Sequence, residues 1–315
     1  MTESQTLDGF REAIRQAGFD PPDHIEADGE LHRFSTNGKR GDKAGYYVLH
    51  LDGIPAGLFG CWRKGFSQKW RADIGRSLTP SENAELTARM AEQKAKRDAQ
   101  AQADAKQAQQ SCETVWSAAN PRYQGHLYLV RKGIDDPGLG LKVIDSIDLA
   151  AQDMFWSGEG WLQGPLLLIP IFDGLGEMVS LQAIDNDGNK SFARKGRKRA
   201  GFHLFGTVDP TGPILVGEGL ATVWAALKLI HWRGSGAVAF DAGNLDPAAK
   251  VLKMRFPAAQ FIVLADVDEN GRGEQEATKA AQSVRGRAWI PSFSPAQIKR
   301  GASDFWDLYR GLQHE

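Results

Sequence analysis

The feature that most constrains the fold is a regular alternation of strand-like and helix-like segments after Gly212. Short apolar runs recur, and each of the first three is followed by a longer run of helix-forming residues. In order, the segments read ILVGEG, ATVWAALKLIHW, GAVAFDAG, DPAAKVLKMRF, FIVLADVD, GEQEATKAAQSV and RAWIPSF. Four strands separated by three helices are typical of a parallel sheet with helices on both faces. The sequence therefore predicts an α/β unit over residues 212–315.

Acidic residues stand at the ends of two of these strands. Glu218 closes the first, and Asp266 and Asp268 close the third as an Asp-x-Asp pair, whereas Asp241 after the second is expected to order its own turn. Each acid could simply cap the helix that follows, but three carboxylates at adjacent strand ends would repel one another without a cation. Ligands bind at this edge of open α/β sheets. The three acids therefore predict a catalytic site for Mg²⁺ or Mn²⁺ that also holds phosphate.

The bulk composition excludes several classes of protein. The chain has 315 residues, enough for two or three domains, and its net charge of −1 means that affinity for nucleic acid must come from local basic patches. Cys61 and Cys112 are far apart, which excludes a zinc ribbon and a disulfide framework and predicts free thiols. No apolar run is long enough to span a bilayer, and the N-terminus lacks a signal-peptide pattern. We therefore expect a cytoplasmic protein with no zinc and no membrane partner.

The first part of the chain is expected to form a small α+β module over residues 1–78. An amphipathic helix is predicted over 5–18, and β-rich segments follow it. Asp52-Gly53 stands between two of these segments and indicates a type I′ hairpin.

Aromatic and basic residues interleave in this module. On β-structure they can form a stacking platform for single-stranded nucleic acid, although most of the aromatic residues could equally form the core. We expect Phe34, Tyr47 and Phe59 in the core. The residues proposed to contact single-stranded DNA are Trp62, Arg63, Lys64, Phe66 and Trp70.

Two regions connect this module to the α/β unit. Residues 79–112 are rich in Ala, Gln, Lys and Glu, which predicts a solvated helical linker with no face to bury. A new helix is expected to begin at Cys112 and to open an α+β subdomain over 113–211. Asp187-Gly188 indicates a hairpin within that subdomain.

A basic strip precedes the α/β unit. A run of this kind is often only a solvated loop, but cations ahead of a carboxylate site suit a template or a triphosphate. The strip consists of Lys190, Arg194, Lys195, Arg197, Lys198 and Arg199.

The blocks around the acids resemble the Toprim domain, which bacterial primases, topoisomerases and some nucleases share. The matching blocks are GPILVGEGLATVWAAL, AVAFDAGNL and FIVLADVDENGRGEQEA, within residues 212–291. The resemblance implies a Rossmann-like catalytic domain in which Glu218 takes part in acid/base or metal-linked chemistry and Asp266 and Asp268 bind Mg²⁺. Primases often carry a further aspartate four residues after the glutamate, where this chain has Thr222.

Segments on both sides of these blocks are similar to DnaG-like primases of conjugative plasmids and phages. The basic strip followed by the first acidic block has the order found in those proteins, and GHLYLVRKGI at residues 125–134 is similar to a segment they carry. The resemblance implies that Arg131 and Lys132 line the nucleotide or nucleic-acid face. Asp304 and Asp307 in GASDFWDLYRG stand one helical turn apart, and both helix packing and weak support of the site are open for them.

The resemblance favours a primase that lacks the zinc ribbon of its relatives. Its expected partners are a single-stranded DNA template, nucleoside triphosphates and a replicative or mobile-element helicase, since the chain has no Walker A motif of its own. Two other hypotheses remain open at this point. One is a Toprim nuclease that uses the same acids to activate water, and the other is a non-catalytic replication accessory that binds single-stranded DNA.

Overall fold

The chain divides into two units, Met1–Gln93 and Lys94–Glu315. The computed structural model describes residues 2–39, 41–51, 53–72, 79–134, 137–148, 153–156, 160–268 and 270–313. No helix within those ranges is both long and apolar enough to cross a membrane.

The first unit packs one helix on an antiparallel sheet. Thr2 caps the helix in a capping box with Gln5, so the helix begins two residues earlier than predicted. The four strands pair in the order β1-β2-β3-β4. Their bounds are α1 (Glu3–Gln16), β1 (His32–Phe34), β2 (Gly45–His50), β3 (Ala56–Cys61) and β4 (Phe66–Arg71). Asp52 of the predicted hairpin lies outside the described residues.

Aromatic residues form the core of this unit. Phe10 of α1 makes edge contacts with Tyr47 and Phe59, with ring centroids 5.9 and 5.8 Å apart. Phe34, Tyr47 and Phe59 are all buried, which confirms the prediction for these three. Cys61 is also buried here.

A single long helix follows. It is α2 (Pro80–Ala118), and it is continuous through Cys112, so the predicted start of a separate helix at that residue is wrong. Cys112 and Val115 are buried in a core cluster of the second unit, whereas the earlier turns are largely exposed. The composition of residues 79–112 correctly predicted a helix, but the helix continues because its last turns have an apolar face to pack.

The next elements form a small antiparallel sheet. After the short helix α3 (Leu127–Lys132), four strands pair in the order β5-β6-β7-β8. The strands are β5 (Lys142–Asp145), β6 (Pro165–Phe172), β7 (Met178–Ile184) and β8 (Lys190–Phe192). The hairpin predicted at Asp187-Gly188 joins β7 to β8, and Gly188 has φ +93°, a backbone conformation that favours glycine.

The remaining elements form a mixed sheet flanked by helices. Its order is β13-β12-β10-β11-β9, in which β9 pairs antiparallel and the other strands pair parallel. The predicted alternation of strands and helices is confirmed, and β9 is an addition to it. The elements are β9 (His203–Phe205), β10 (Pro213–Gly217), α4 (Leu220–Leu229), β11 (Ser235–Val238), α5 (Ala242–Arg255), β12 (Gln260–Leu264), α6 (Arg272–Ser283), β13 (Arg287–Trp289), α7 (Pro295–Lys299) and α8 (Phe305–Gln313).

Candidate active site

The carboxyl ends of β10 and β12 form the floor of the candidate site. The two strands pair directly, with Val216 opposite Val263, so the residues that follow them leave the sheet side by side. Glu218 follows β10, and Asp266 and Asp268 follow β12, as the sequence predicted. Helix α4 behind them is almost entirely buried, which fixes the strand ends against a rigid core.

Asp266 is the most perturbed acid of the site. Burial, followed by the charges of Glu218 and Asp304, raises the pKa of Asp266 to about 7, and Lys190 opposes that shift. Its Oδ1 atom is buried and has no hydrogen-bond partner among the residues that the structure describes. An unpaired buried carboxylate oxygen is costly, so this atom is suited to a cation.

Glu218 lies close enough to the other acids to be repelled by their charges. Its side chain is partly buried, and burial and then the charge of Asp241 raise its pKa. Arg272 and a backbone hydrogen bond from Ala242 act in the opposite direction. The expected repulsion between acids at this edge is therefore present at Glu218 and Asp266.

Asp268 behaves differently from the other two acids. Its Oδ1 accepts hydrogen bonds from the backbone amides of Asn270 and Arg272 at 3.1 and 2.9 Å, and its Oδ2 accepts one from Gly273 at 3.1 Å. These bonds lower its pKa and organise the start of α6. Asp268 thus bonds to the first amides of the following helix, which is close to the capping role weighed for all three acids, although the N-cap position itself is Gly271.

Asp304 belongs to the candidate site. The sequence had left two roles open for it, helix packing and weak support of the site. Its Oδ2 accepts a 2.8 Å hydrogen bond from Oγ1 of buried Thr222, and its charge contributes to the raised pKa of Asp266. The backbone amide of Val267 donates to the carbonyl of Ser303 at 2.8 Å, which ties the segment before α8 to the exit of β12. Sequence spacing around Asp304 carried no signal of this long-range contact.

A cavity of about 310 Å³ opens at Asp304, and its described lining does not include Glu218, Asp266 or Asp268. Three of the residues predicted to bind nucleotide or template, Arg131, Lys132 and Lys190, lie in its wall with Asp304. The other lining residues are Tyr128, Asp187, Gly188, Gly219, Ala221 and Thr222. The cavity thus places positive charge next to carboxylates, an arrangement suited to a metal-bound phosphate ligand.

Lys132 is held firmly in this wall. Its Nζ lies 3.3 Å from the ring centroid of Trp306, and its carbonyl accepts a 2.9 Å hydrogen bond from Nε1 of the same tryptophan. Burial lowers the pKa of Lys132, and the charges of Asp304 and Asp307 oppose that shift. The ammonium group is thus positioned by an aromatic ring and by nearby acids.

The rest of the basic strip lies outside the lining of the cavity. Lys195 pairs with Asp104 at 3.0 Å, and Arg197 pairs with Asp173 at 2.8 Å. Lys198 pairs with Asp241, which follows β11. Arg194 lies 5.5 Å from the ring centroid of Trp161, and Arg199 is exposed. These cations therefore form a separate surface whose charge is partly neutralised.

The five residues of the first unit proposed for single-stranded DNA have unequal positions. Trp62 is 59% exposed, Lys64 lies 4.9 Å from the ring centroid of Phe19, and Arg63 pairs with Asp42 at 2.6 Å.

Phe66 and Trp70 pack differently from Trp62. Both are partly buried against the core cluster, with Trp70 in edge contact with Phe10 at 5.2 Å and Phe66 at 5.3 Å from Phe19. Their packing is that of core residues because they lie on the face of β4 that α1 covers. The alternation of side chains along β4 already predicts this face for Phe66 and Trp70. The neighbouring cations instead suggested contact with nucleic acid.

Carboxylate oxygens suit a hard divalent cation, but the oxygens of the three predicted acids are not all close to one another. Among the described residues, Glu218, Asp266 and Asp268 do not bring one ligand atom each to within 4.8 Å of one another. The trio that meets this distance is Glu26, Asp28 and His32 in the first unit, where an ion pair of 2.8 Å already joins the last two.

Comparison with known proteins identifies sequences that are similar to this chain. No family model matches the chain. Two proteins of Escherichia coli, both called DNA primase TraC, are each 32% identical to it. One match covers 92% of this chain and 27% of the relative, and the other covers 91% and 20%. The chain thus spans about a quarter or less of the curated relatives it matches.

Solved structures give a weaker likeness. The DnaG catalytic core has a TM-score of 0.42 and 14% identity, and the match covers 65% of this chain and 79% of that one. The primase fragment of the bacteriophage T7 primase-helicase has a TM-score of 0.38 and 16% identity, covering 55% and 63%. These scores are too low to establish a shared fold. The sequence match instead confirms the predicted resemblance, since nearly the whole chain is similar to a part of DNA primase TraC.

Proposed function

We propose that this chain is a DNA primase that makes short oligonucleotide primers from nucleoside triphosphates on single-stranded DNA. The observation that carries the proposal is the 32% identity to DNA primase TraC over 92% of the chain. The cavity that is lined by three cations together with Asp304 and Asp187 supports it, because nucleotidyl transfer needs both charges around a triphosphate.

The α/β unit is proposed to be the catalytic Toprim domain. The parallel strands β10 to β13, with Glu218 after the first and Asp266 and Asp268 after the third, support this interpretation. The antiparallel sheet of β5 to β8 would be the α+β subdomain in front of it, since β8 brings Lys190 into the cavity wall.

Asp266, Glu218 and Asp304 are the residues proposed to hold Mg²⁺ or Mn²⁺. The unpaired buried Oδ1 of Asp266 and the raised pKa values of Asp266 and Glu218 fit a site whose carboxylates need a cation. A bound ion would activate the attacking hydroxyl and stabilise the pyrophosphate leaving group. Asp268 would then act mainly through the loop that it organises.

The cations of the cavity are proposed to bind the triphosphate. Lys132 is already oriented by Trp306, and Lys190 lowers the pKa of Asp266, which favours the ionised carboxylate that a metal requires. Arg131 can grip phosphate oxygens through two parallel hydrogen bonds. Thr222 holds Asp304 toward the same cavity.

The outer basic strip is proposed to bind the template. The cations that pair with Asp104, Asp173 and Asp241 are 63, 52 and 34% exposed, so phosphates can reach them from solvent. The resemblance also leads us to propose a replicative or mobile-element helicase as a protein partner.

The decisive assay incubates the full chain with single-stranded DNA, Mg²⁺ and labelled nucleoside triphosphates. We expect short labelled oligomers that disappear in Asp266→Asn and are strongly reduced in Lys190→Gln. Lys279→Gln, which removes an exposed lysine of α6 that pairs with Glu276, is the matched control and should retain activity.

Other outcomes would select a different function. Cleavage of the DNA by the parent chain without triphosphates, lost in Asp266→Asn, would indicate a nuclease. Binding of DNA with neither synthesis nor cleavage over a range of templates and metals would indicate the non-catalytic accessory.

A further inference from the structure

The sheet of the first unit has one face covered by α1 and an opposite face that carries a different set of residues. Opposite partners across the four strands are Arg33, Tyr46, Gly60 and Ser67, and partners in one row point to one face. This row alternates with the one that contains buried Tyr47 and Phe59. Tyr46 therefore points away from the core, on the same side as Arg33.

Trp62 extends this row. It follows the last residue of β3, its ring centroid lies 4.5 Å from that of Tyr46, and the two planes are inclined by 31°. The guanidinium of Arg33 lies 6.0 Å from the ring centroid of Trp62. We call Arg33, Tyr46 and Trp62 the open-face platform.

Gly60 allows the Tyr46 ring of the platform to pack closely on β3. A Cβ atom at Gly60 would be 2.6 Å from the ring and hydroxyl of Tyr46, so this glycine lets the ring cross β3 closely. Trp62 remains 59% exposed although it is a large apolar side chain. An exposed indole against a second ring is a surface suited to a planar partner.

The charged residues within the four strands are all cations. The strands contain no Asp or Glu, and Arg33, Lys69 and Arg71 are exposed on the platform side of the sheet. Two of the acids near the strands are already paired, Asp42 with Arg63 and Asp28 with His32. Aromatic planes bordered by cations match the two repeating parts of a single strand of nucleic acid, its unpaired bases and its phosphates.

We propose that the open-face platform binds single-stranded DNA by stacking an unpaired base on Trp62, with Arg33 and Lys69 on the neighbouring phosphates. The choice of DNA over RNA rests on the proposed template of the primase. The binding itself does not depend on the acids of the second unit, so it can be measured without catalysis.

The test uses the full chain carrying Asp266→Asn, in EDTA, with a labelled oligothymidylate of about 20 nucleotides, which exceeds the roughly 4–16 covered by one single-strand-binding fold. We expect Trp62→Ala to weaken binding about fivefold to 100-fold, the range expected for loss of one base stack, and Trp62→Phe to restore most of it. Lys69→Gln should reduce the slope of log affinity against log salt by about one phosphate contact.

The matched control is Met254→Ala. Met254 is a large apolar side chain of α5 in the second unit, it is 75% exposed, and it belongs neither to the cavity lining nor to the basic strip. This variant should bind as its parent does. Equal losses in Trp62→Ala and Met254→Ala, parent-like binding by Trp62→Ala, or equal affinity for a duplex or for RNA of the same sequence would overturn the proposal.

Failure here is separable from failure of the primase proposal. Primers made by the chain with Asp266 intact, together with parent-like binding by Trp62→Ala, would reject the platform alone. Loss of binding in Trp62→Ala together with no primer synthesis under any condition would support the platform and reject the primase.

Discussion

Asp266 is a residue of the candidate site that destabilises the folded protein. Its buried Oδ1 is unpaired among the described residues, and Glu218 and Asp304 add repulsion. We expect Asp266→Asn to abolish primer synthesis and also to raise the melting temperature measured in EDTA above pH 7, where Asp266 is ionised, because it removes one of the repelling charges.

The contrasting variant is Asp268→Ala. This aspartate accepts three backbone amides at the start of α6, so its loss should lower the melting temperature by roughly 2–4 °C, a typical shift for a weakened helix start in a protein of this size. Equal destabilisation by the two variants, measured by calorimetry, would contradict the different roles assigned to them.

The raised pKa of Asp266 has a consequence for pH dependence. Because the folded state keeps the proton up to about pH 7 while the unfolded state releases it near 3.8, folding is favoured below 3.8 and loses that contribution as pH rises to about 7. We therefore expect the melting temperature of the parent minus that of Asp266→Asn, measured in EDTA, to fall between these two pH values. A flat difference across this range would mean that Asp266 ionises normally.

The Thr222–Asp304 hydrogen bond joins α4 to the segment before α8 across 82 residues of sequence. The same pair of helices is joined by the edge contact of Trp224 with Tyr309, at 5.5 Å. Thr222→Val keeps the shape and removes the donor, so we expect the free energy of unfolding to fall by about 1.5–3 kcal/mol, the usual range for a hydrogen bond to a charged group.

Thr222→Ser is the rescue variant, because it restores the hydroxyl. Denaturant unfolding measures both variants, and primer synthesis should follow the same order since Thr222 positions Asp304. If Thr222→Val and Thr222→Ser were equally stable, the hydrogen bond would contribute nothing.

Elements whose signal is local were predictable from the sequence. The strands and helices after Gly212 each have a characteristic apolar pattern and length, and parallel strands necessarily bring Glu218 and Asp266 to one edge. The end of the linker was not predictable in this way. Its helix runs on to Ala118 because Cys112 and Val115 find a core to pack against, and only the tertiary structure supplies that core.

The ion pairs of the basic strip were also not predictable from the sequence. Its charges were evident in the sequence, but the acids that pair with it come from α2, from the turn after β6 and from the N-cap of α5. Asn244 of α5 further fixes the strip by accepting from the amide of Ala200 at 2.7 Å and donating to the carbonyl of Gly201 at 2.9 Å. Contacts that span 24 residues or more leave no local pattern to detect.

At the scale of the whole molecule, each unit contains its own core. One cluster of buried residues lies entirely within the first 93 residues and includes Phe10, Leu49 and Phe59. The other three clusters begin at Cys112 or later. No core cluster among the described residues crosses the division near residue 93, although α2 runs through it.

Separate cores predict separate unfolding. A fragment spanning 94–315 should fold on its own, because division at this point interrupts only an exposed stretch of α2. Calorimetry should show two transitions in the full chain. The fragment should reproduce one of them within about 3 °C, the shift expected for a change of about 1 kcal/mol in a unit of this size.

The control is Ala101→Pro in the full chain. A proline in a helix interior costs about 3 kcal/mol locally, but Ala101 is exposed on α2 and belongs to no core cluster, so both transitions should persist at their parent temperatures. A single transition in the full chain that the fragment fails to reproduce would show that the two cores depend on each other. In that case primer synthesis by the fragment, which we otherwise expect at saturating template because it contains all of the proposed catalytic acids, should be lost as well.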